Sequence, residues 1–193
     1  MSIEIDFRLV LEDKNGLTPF HWACRDGKSK IVQTFLDLSE SFKFQLNSRD
    51  RRGLTAFHWA CKEGQIKIVE MLLQNSTKFN IDLNSKDNLG LTPFHWACKE
   101  GKSEVAQLLI KNSKKLKIEL NSKDRNDCTA LHLACANYKK SVIETIVDNT
   151  ELFKFDLKAV ELFQSAKKYG VHERKRMKRK SDYEGPKEKR RCV

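Results

Sequence analysis

Gly16-Leu17-Thr18-Pro19-Phe20-His21-Trp22-Ala23-Cys24 returns as Gly53 to Cys61, as Gly90 to Cys98 and, altered, as Asp127 to Cys135, a period of 37 residues. Identity over four copies marks an internal repeat. Thr18 is placed to cap a helix whose first residue, Pro19, gives up an amide hydrogen that has no partner there. The helix is expected to stop at Gly27, where a left-handed conformation is open to glycine. A second helix follows, with Ile31, Val32, Phe35 and Leu36, and in the next copy Ile68, Val69, Leu72 and Leu73, forming an apolar stripe at helical spacing.

A second signal keeps the same period: Ile5-Asp6-Phe7-Arg8-Leu9, Phe42-Lys43-Phe44-Gln45-Leu46, Phe79-Asn80-Ile81-Asp82-Leu83, Leu116-Lys117-Ile118-Glu119-Leu120 and Phe153-Lys154-Phe155-Asp156-Leu157. Alternating apolar and polar residues predict extended chain with one buried side. Each unit therefore reads helix, turn, helix, extended finger. Ordering a chain costs about 1.5 kcal/mol per residue, more than two short helices recover from each other, so the units must stack. Phe20, Phe57, Phe94 and Leu131, and Trp22, Trp59 and Trp96, are expected to form packed ladders through the stack.

These units resemble the ankyrin repeat, whose Thr-Pro-Leu-His-x-Ala signature has a 33-residue period. The signature stands here as Thr-Pro-Phe-His-Trp-Ala twice, Thr-Ala-Phe-His-Trp-Ala once and Thr-Ala-Leu-His-Leu-Ala once. Asn47-Ser48-Arg49-Asp50, Asn84-Ser85-Lys86-Asp87 and Asn121-Ser122-Lys123-Asp124 fall where that family places its hairpins. The resemblance implies an all-α solenoid of stacked helix-turn-helix repeats with β-hairpin finger loops. The array is expected over residues 1–158, with fingers starting near 5, 42, 79, 116 and 153. Residues 159–170 are expected to form a C-terminal capping helix and residues 171–193 a basic disordered tail. The four extra residues per unit are expected between the second helix and the finger, ordered by the recurring Phe42, Phe79, Leu116 and Phe153. The fourth unit departs from the pattern, with Asp127 for glycine, Cys128 for Leu17, and Asn137-Tyr138 where the other units carry an acid and glycine.

Hydrophobic residues make up 39% and charged residues 33% of the 193, a balance suited to a thin, elongated core. The N-terminus lacks a basic start followed by an apolar stretch, and no apolar run nears the roughly 20 residues that cross a bilayer. A soluble intracellular protein without membrane contact is expected. Cys24, Cys61, Cys98 and Cys135 recur within helical patterns and read as reduced thiols.

Every unit carries His-x-x-Cys, and such a pair shares a helical face, which raises zinc. Zinc ligands lie at about 2.0–2.3 Å, whereas stacked helices sit about 8–10 Å apart, too far for two units to complete one tetrahedron. A structural use is expected instead, with no metal and no cofactor. Four near-identical Cys-His pairs without an orienting third group read as architecture rather than as a nucleophile site. Gly27-Lys28-Ser29 and Gly101-Lys102-Ser103 mimic the end of a phosphate loop, but Trp22 and Trp96 stand where its earlier glycine is required, so both read as helix stops. The tryptophans could serve as a base-stacking platform, but their place in a helical core pattern favours packing. No enzyme activity is expected.

Net charge is +11. Residues 172–193 hold ten Lys/Arg against four Asp/Glu, a balance of +6 that leaves +5 for the rest. Arg174, Lys175, Arg176, Lys178, Arg179 and Lys180, followed by Lys187, Lys189, Arg190 and Arg191, resemble a nuclear localisation signal. They imply an import receptor as partner and a place in the nucleus, the cytoplasm or both; nucleic acid or another polyanion is an alternative partner for the same charges, and a merely solubilising tail is the plain alternative. In the ankyrin family, partners are held by finger tips and the concave side of the first helices. The corresponding tips here are Lys14-Asn15, Arg51-Arg52, Asn88-Leu89 and Arg125-Asn126. The helix ends are Arg25-Asp26, Lys62-Glu63 and Lys99-Glu100. A net positive finger row suggests a partner protein with an acidic segment. The resulting expectation is a monomeric adaptor, scaffold or inhibitor, similar in kind to the ankyrin inhibitors of Rel transcription factors.

Overall fold

The computed structural model describes residues 12–42 and 44–153. The first finger (5–9), most of the fifth, the capping helix at 159–170 and the basic tail all lie outside the described residues. Among the described residues eight α-helices alternate short and long: α1 (Pro19–Arg25), α2 (Ser29–Phe42), α3 (Ala56–Glu63), α4 (Ile66–Asn75), α5 (Pro93–Glu100), α6 (Ser103–Leu116), α7 (Ala130–Ala136) and α8 (Lys140–Val147), with a 3-10 turn at Thr150–Leu152. The odd-numbered helices pack on one another in one layer and the even-numbered in a second, the first layer more closely. Small residues permit that close approach: Ala23, Ala60, Ala97 and Ala134 and their cysteine neighbours are all buried. A layer spaced more tightly on one side curves the stack, so the short helices line its inner face.

Each short helix starts the same way. Thr18, Thr55 and Thr92 occupy the N-cap, and their hydroxyls accept the backbone N–H of His21, His58 and His95. This is a capping box with histidine in the place usual for glutamate. Between the layers lies one continuous core containing the expected phenylalanine ladder: Phe20, Phe57, Phe94 and Leu131 are all buried. The second-helix stripe is buried as expected at Ile68, Val69, Leu72 and Leu73 and throughout the third unit, and in the fourth it ends at Val147, 43% exposed. The first unit differs, since Ile31 is 49% exposed and Phe35 only half-buried. Among the described residues, no preceding unit covers them.

The structure corrects two expectations. Among the described residues the fingers contain no strand. In a hairpin, paired residues exchange both backbone bonds. Here Asp50 N–H donates to Leu54 O at 2.9 Å, but the return bond from Leu54 N–H goes to Asp50 Oδ1 at 2.9 Å, while the Asp50 carbonyl accepts from Gly53. A side chain thus replaces half the hairpin pair, leaving a compact turn. The expected alternation of burial survives, with Ile81 and Leu83 buried on either side of exposed Asp82. The four extra residues do not form a separate segment in units one and three, where they extend α2 and α6 to 14 residues each. They contain no glycine or proline to stop a helix. In unit two α4 ends at Asn75 and a turn follows. Both routes close alike: Ile81 N–H donates to Ser76 O and Ile118 N–H to Ser113 O, with Asn80 and Lys117 at positive φ. Of the expected outer ladder, Phe79, Leu116 and Phe153 pack against the core, whereas Phe42 is 43% exposed.

The fourth unit keeps the backbone of the others without their glycines. Tyr138 holds φ 54 where Gly101 holds 78, and Asp127 holds φ 61 where Gly90 holds 82. A side chain in the left-handed region is disfavoured by about 1 kcal/mol or more. Tyr138 is 58% exposed, so its removal sacrifices little packing. Tyr138→Gly is therefore expected to raise the midpoint of a urea melt, by about 1 kcal/mol of stability; an unchanged midpoint would show that the strain is relieved elsewhere.

Candidate protein-binding groove

In the second and third units finger and first helix are joined through one carboxylate each. Asp50 Oδ1 accepts the N–H groups of Arg52 at 2.8 Å and Leu54 at 2.9 Å, and Oδ2 accepts the Trp59 indole N–H at 3.1 Å. Asp87 does the same with Leu89, Leu91 and Trp96, at 2.8, 2.9 and 3.0 Å. Asp13 and Asp124 hold their turns by equivalent backbone bonds. The Leu17 amide hydrogen bond chiefly holds the Asp13 carboxyl below the usual carboxylate range.

Successive tips are bonded in a row. Arg51 N–H donates to Asn15 O at 3.0 Å, Asn88 N–H to Arg52 O at 3.0 Å and Arg125 N–H to Leu89 O at 3.1 Å. The asparagines behind the tips act as clamps: Asn47 donates to Asn80 O and accepts from Asp82 N–H, and Asn84 repeats both bonds one unit on with Lys117 and Glu119. Lys14, Asn15, Arg51, Arg52, Asn88, Leu89, Arg125 and Asn126 are all exposed along this row. The structure thus brings the expected tip residues into one line.

The expected helix-end residues form the second line, over the tryptophans. The Arg25 guanidinium lies 3.7 Å from the Trp22 ring and 5.8 Å from that of Trp59. Lys62 Nζ lies 4.5 Å from Trp59 and 5.4 Å from Trp96, and Lys99 Nζ 4.7 Å from Trp96. From the finger side, Arg52 stands 5.6 Å from Trp96. The order along the groove is Trp22, Arg25, Trp59, Lys62, Trp96, Lys99, each cation resting on aromatic faces that attract it. Asp26 and Glu63 flank the row, ion-paired with Arg25 at 2.9 Å and Lys62 at 3.4 Å. Glu100 occupies the equivalent place and is half-buried.

Reading the tryptophans as core alone missed half their role. Trp59 and Trp96 do pack, with Leu17, Leu54 and Leu91, in a small cluster beneath the fingers. They also form the floor on which the cations lie, and Trp22 is 37% exposed. The signal was present in Trp-Ala-Cys-Arg and Trp-Ala-Cys-Lys, where ring and cation stand three residues apart on one helix face.

The His-x-x-Cys pairs are used for structure. His58 Nδ1 accepts the Thr55 N–H at 3.1 Å and Nε2 lies 3.1 Å from Leu91 O in the next unit. His21 reaches Leu54 O and His95 reaches Cys128 O in the same manner. Both nitrogens are engaged, which defines a neutral ring that donates from Nε2. Burial pushes the Cys24, Cys61 and Cys98 thiols far up and that of Cys135 up to about 11, away from the thiolate needed for nucleophilic or metal chemistry. Among the described residues no helix is long and apolar enough to cross a membrane.

No curated protein matches the chain closely enough to count as a relative. The family described as ankyrin repeats, in three copies, matches residues 4–87 and again 76–156. Ankyrin repeats generally mediate protein–protein interaction and are typically non-enzymatic. With the repeated capping boxes, the two helical layers and the family match over most of its length, the chain belongs to the ankyrin repeat family.

Proposed function

We propose that the chain is a protein-binding adaptor, scaffold or inhibitor whose inner groove holds an acidic segment of its partner. One observation carries this reading: Arg25, Lys62 and Lys99 form a continuous row over the tryptophan floor, Arg52 reaches the same Trp96 ring from the finger side, and Arg51 and Arg125 are exposed in the row of finger tips. Leu89, 55% exposed at a finger tip, adds an apolar contact to that wall. Burial of such a residue at an interface contributes on the order of 1–3 kcal/mol. The rigid bonding between tips and helices means little ordering accompanies binding, which favours affinity.

A second reading rests on the tail, where ten Lys/Arg stand against four Asp/Glu in residues 172–193. It assigns Arg174–Lys180 and Lys187–Arg191 to an import receptor, with nuclear localisation, or to nucleic acid, whose binding would weaken steeply with salt. One capture experiment separates the two. The full chain, an Arg51→Glu/Arg52→Glu variant and a variant with the tail cations changed to alanine are each used as bait in cell extract. The groove reading expects one specific protein retained by the tail variant and lost by the finger variant. If the tail variant captures nothing while the finger variant captures everything, the function lies in the tail.

A further inference from the structure

The groove's rungs recur once per unit, and that spacing selects a conformation as well as a charge. Arg25, Lys62 and Lys99 are separated by 37 residues each, and the helices bearing them, α1, α3 and α5, are immediate neighbours in the stack. Neighbouring helices lie about 8–10 Å apart, so the cations recur at about that interval. A polyproline II segment has three residues per turn and rises ~3.1 Å per residue, placing every third side chain on one face at about 9.3 Å. A β-strand presents same-face side chains at about 6.6 Å or 13 Å and falls out of step. An α-helix comes nearest with every seventh residue, which recurs at about 10.5 Å, longer than the interval between the cations.

We infer that the groove selects a polyproline II segment carrying a carboxylate at every third residue, with one carboxylate on each of Arg25, Lys62 and Lys99 and a proline against the exposed ring of Trp22 at the first rung. The inference rests on the groove being the binding site and names what that site takes. Aromatic-lined grooves suit this partner because the polyproline II chain is already ordered before it binds. The footprint has a defined end. The equivalents of Trp96 and Lys99 in the fourth unit are Leu133 and Ala136, so three rungs, and seven partner residues, make the full register. Asp26 and Glu63 sit beside the first two cations at exposed positions, so an incoming carboxylate shares each cation instead of displacing a buried ion pair. The chain's own tail is an unsuitable occupant, as its ten cations would meet the cations of the groove.

The three tryptophans of the chain all lie in this groove, so intrinsic fluorescence reports its occupancy. The full chain is titrated with three peptides that all adopt polyproline II and differ in spacing: Glu-Pro, Glu-Pro-Pro and Glu-Pro-Pro-Pro repeats, each carrying three glutamates. The Glu-Pro-Pro repeat is expected to bind roughly tenfold more tightly than either other, since each in-register exposed ion pair contributes a few-fold. Lys62→Gln, which removes the middle rung, should abolish most of that advantage while leaving the secondary structure seen by circular dichroism unchanged. Best binding by the Glu-Pro repeat, the densest in charge, would mean plain polyanion attraction and overturn the inference. So would tighter binding by a helical peptide with glutamates at every seventh residue, or equal binding by all three spacings. If no peptide alters the fluorescence while the captured protein is still lost on Arg51/Arg52 reversal, the register fails and the groove reading stands; if no peptide alters the fluorescence and the reversal leaves capture intact, both fail.

Discussion

Between pH 7 and pH 4.5 the array is expected to lose stability steeply, and above pH 7 to show no change from its histidines. The cause is the neutral imidazole built into each capping box. Burial, the largest influence, lowers the His58 pKa from 6.5 to about 4 and lowers those of His21 and His95 as well. The Leu91 carbonyl opposes the shift at His58 without reversing it. A histidine with its folded pKa depressed binds fewer protons when folded than when unfolded, so its contribution is complete above about pH 6.5 and disappears as pH falls toward the folded value. For His58 alone the full swing corresponds to about 3 kcal/mol, of which on the order of 2 kcal/mol is gone at pH 5. Protonation at Nδ1 would set a new N–H against the Thr55 N–H that Nδ1 now accepts at 3.1 Å. Urea melts at pH 7.5, 6 and 5 measure the effect. A midpoint flat from pH 7.5 to 5 would show that the rings are accessible enough to be protonated without unfolding.

The second large effect is at Asp87. Asp87→Ala removes three acceptor contacts at once and leaves the buried Leu91 N–H and the Trp96 indole N–H unpaired. A buried donor left without a partner costs about 1–3 kcal/mol, so the substitution is expected to destabilise the array by about 3–5 kcal/mol and to shift the Trp96 emission. Asp87→Asn keeps an oxygen for the two backbone amides and forfeits only the indole bond, so about 1 kcal/mol is expected. The ratio between the variants is the informative quantity: equal losses would mean that charge, rather than hydrogen-bond geometry, holds finger to helix. The same pair of substitutions at Asp50 probes Trp59.

The residues behind both effects differ in how plainly the chain announces them. His58 belongs to a motif recurring in all four units, and its structural use follows from that repetition. Asp87 also recurs, with Asp13, Asp50 and Asp124, but its nine-residue reach to Trp96 depends on where the finger folds back over the short helix. The basic tip residues were readable because packing does not dictate them. Their backbone bonds from tip to tip, such as Asn88 to Arg52, join residues a whole unit apart and have no local signature.

The sequence by itself determined the repeat, its period, the caps that begin each short helix, the phenylalanine ladder and the family. These are local or periodic properties, set by residue chemistry within a few positions and multiplied by repetition. Only the tertiary structure decided that, among the described residues, the fingers are aspartate-bound turns without strands, that the additional residues lengthen α2 and α6, and that the tryptophans are shared between core and groove. In each case the outcome depends on which hydrogen-bond donor or aromatic face a neighbouring unit presents. Stacking distance sets that choice, as it sets the interval between the cations of the groove.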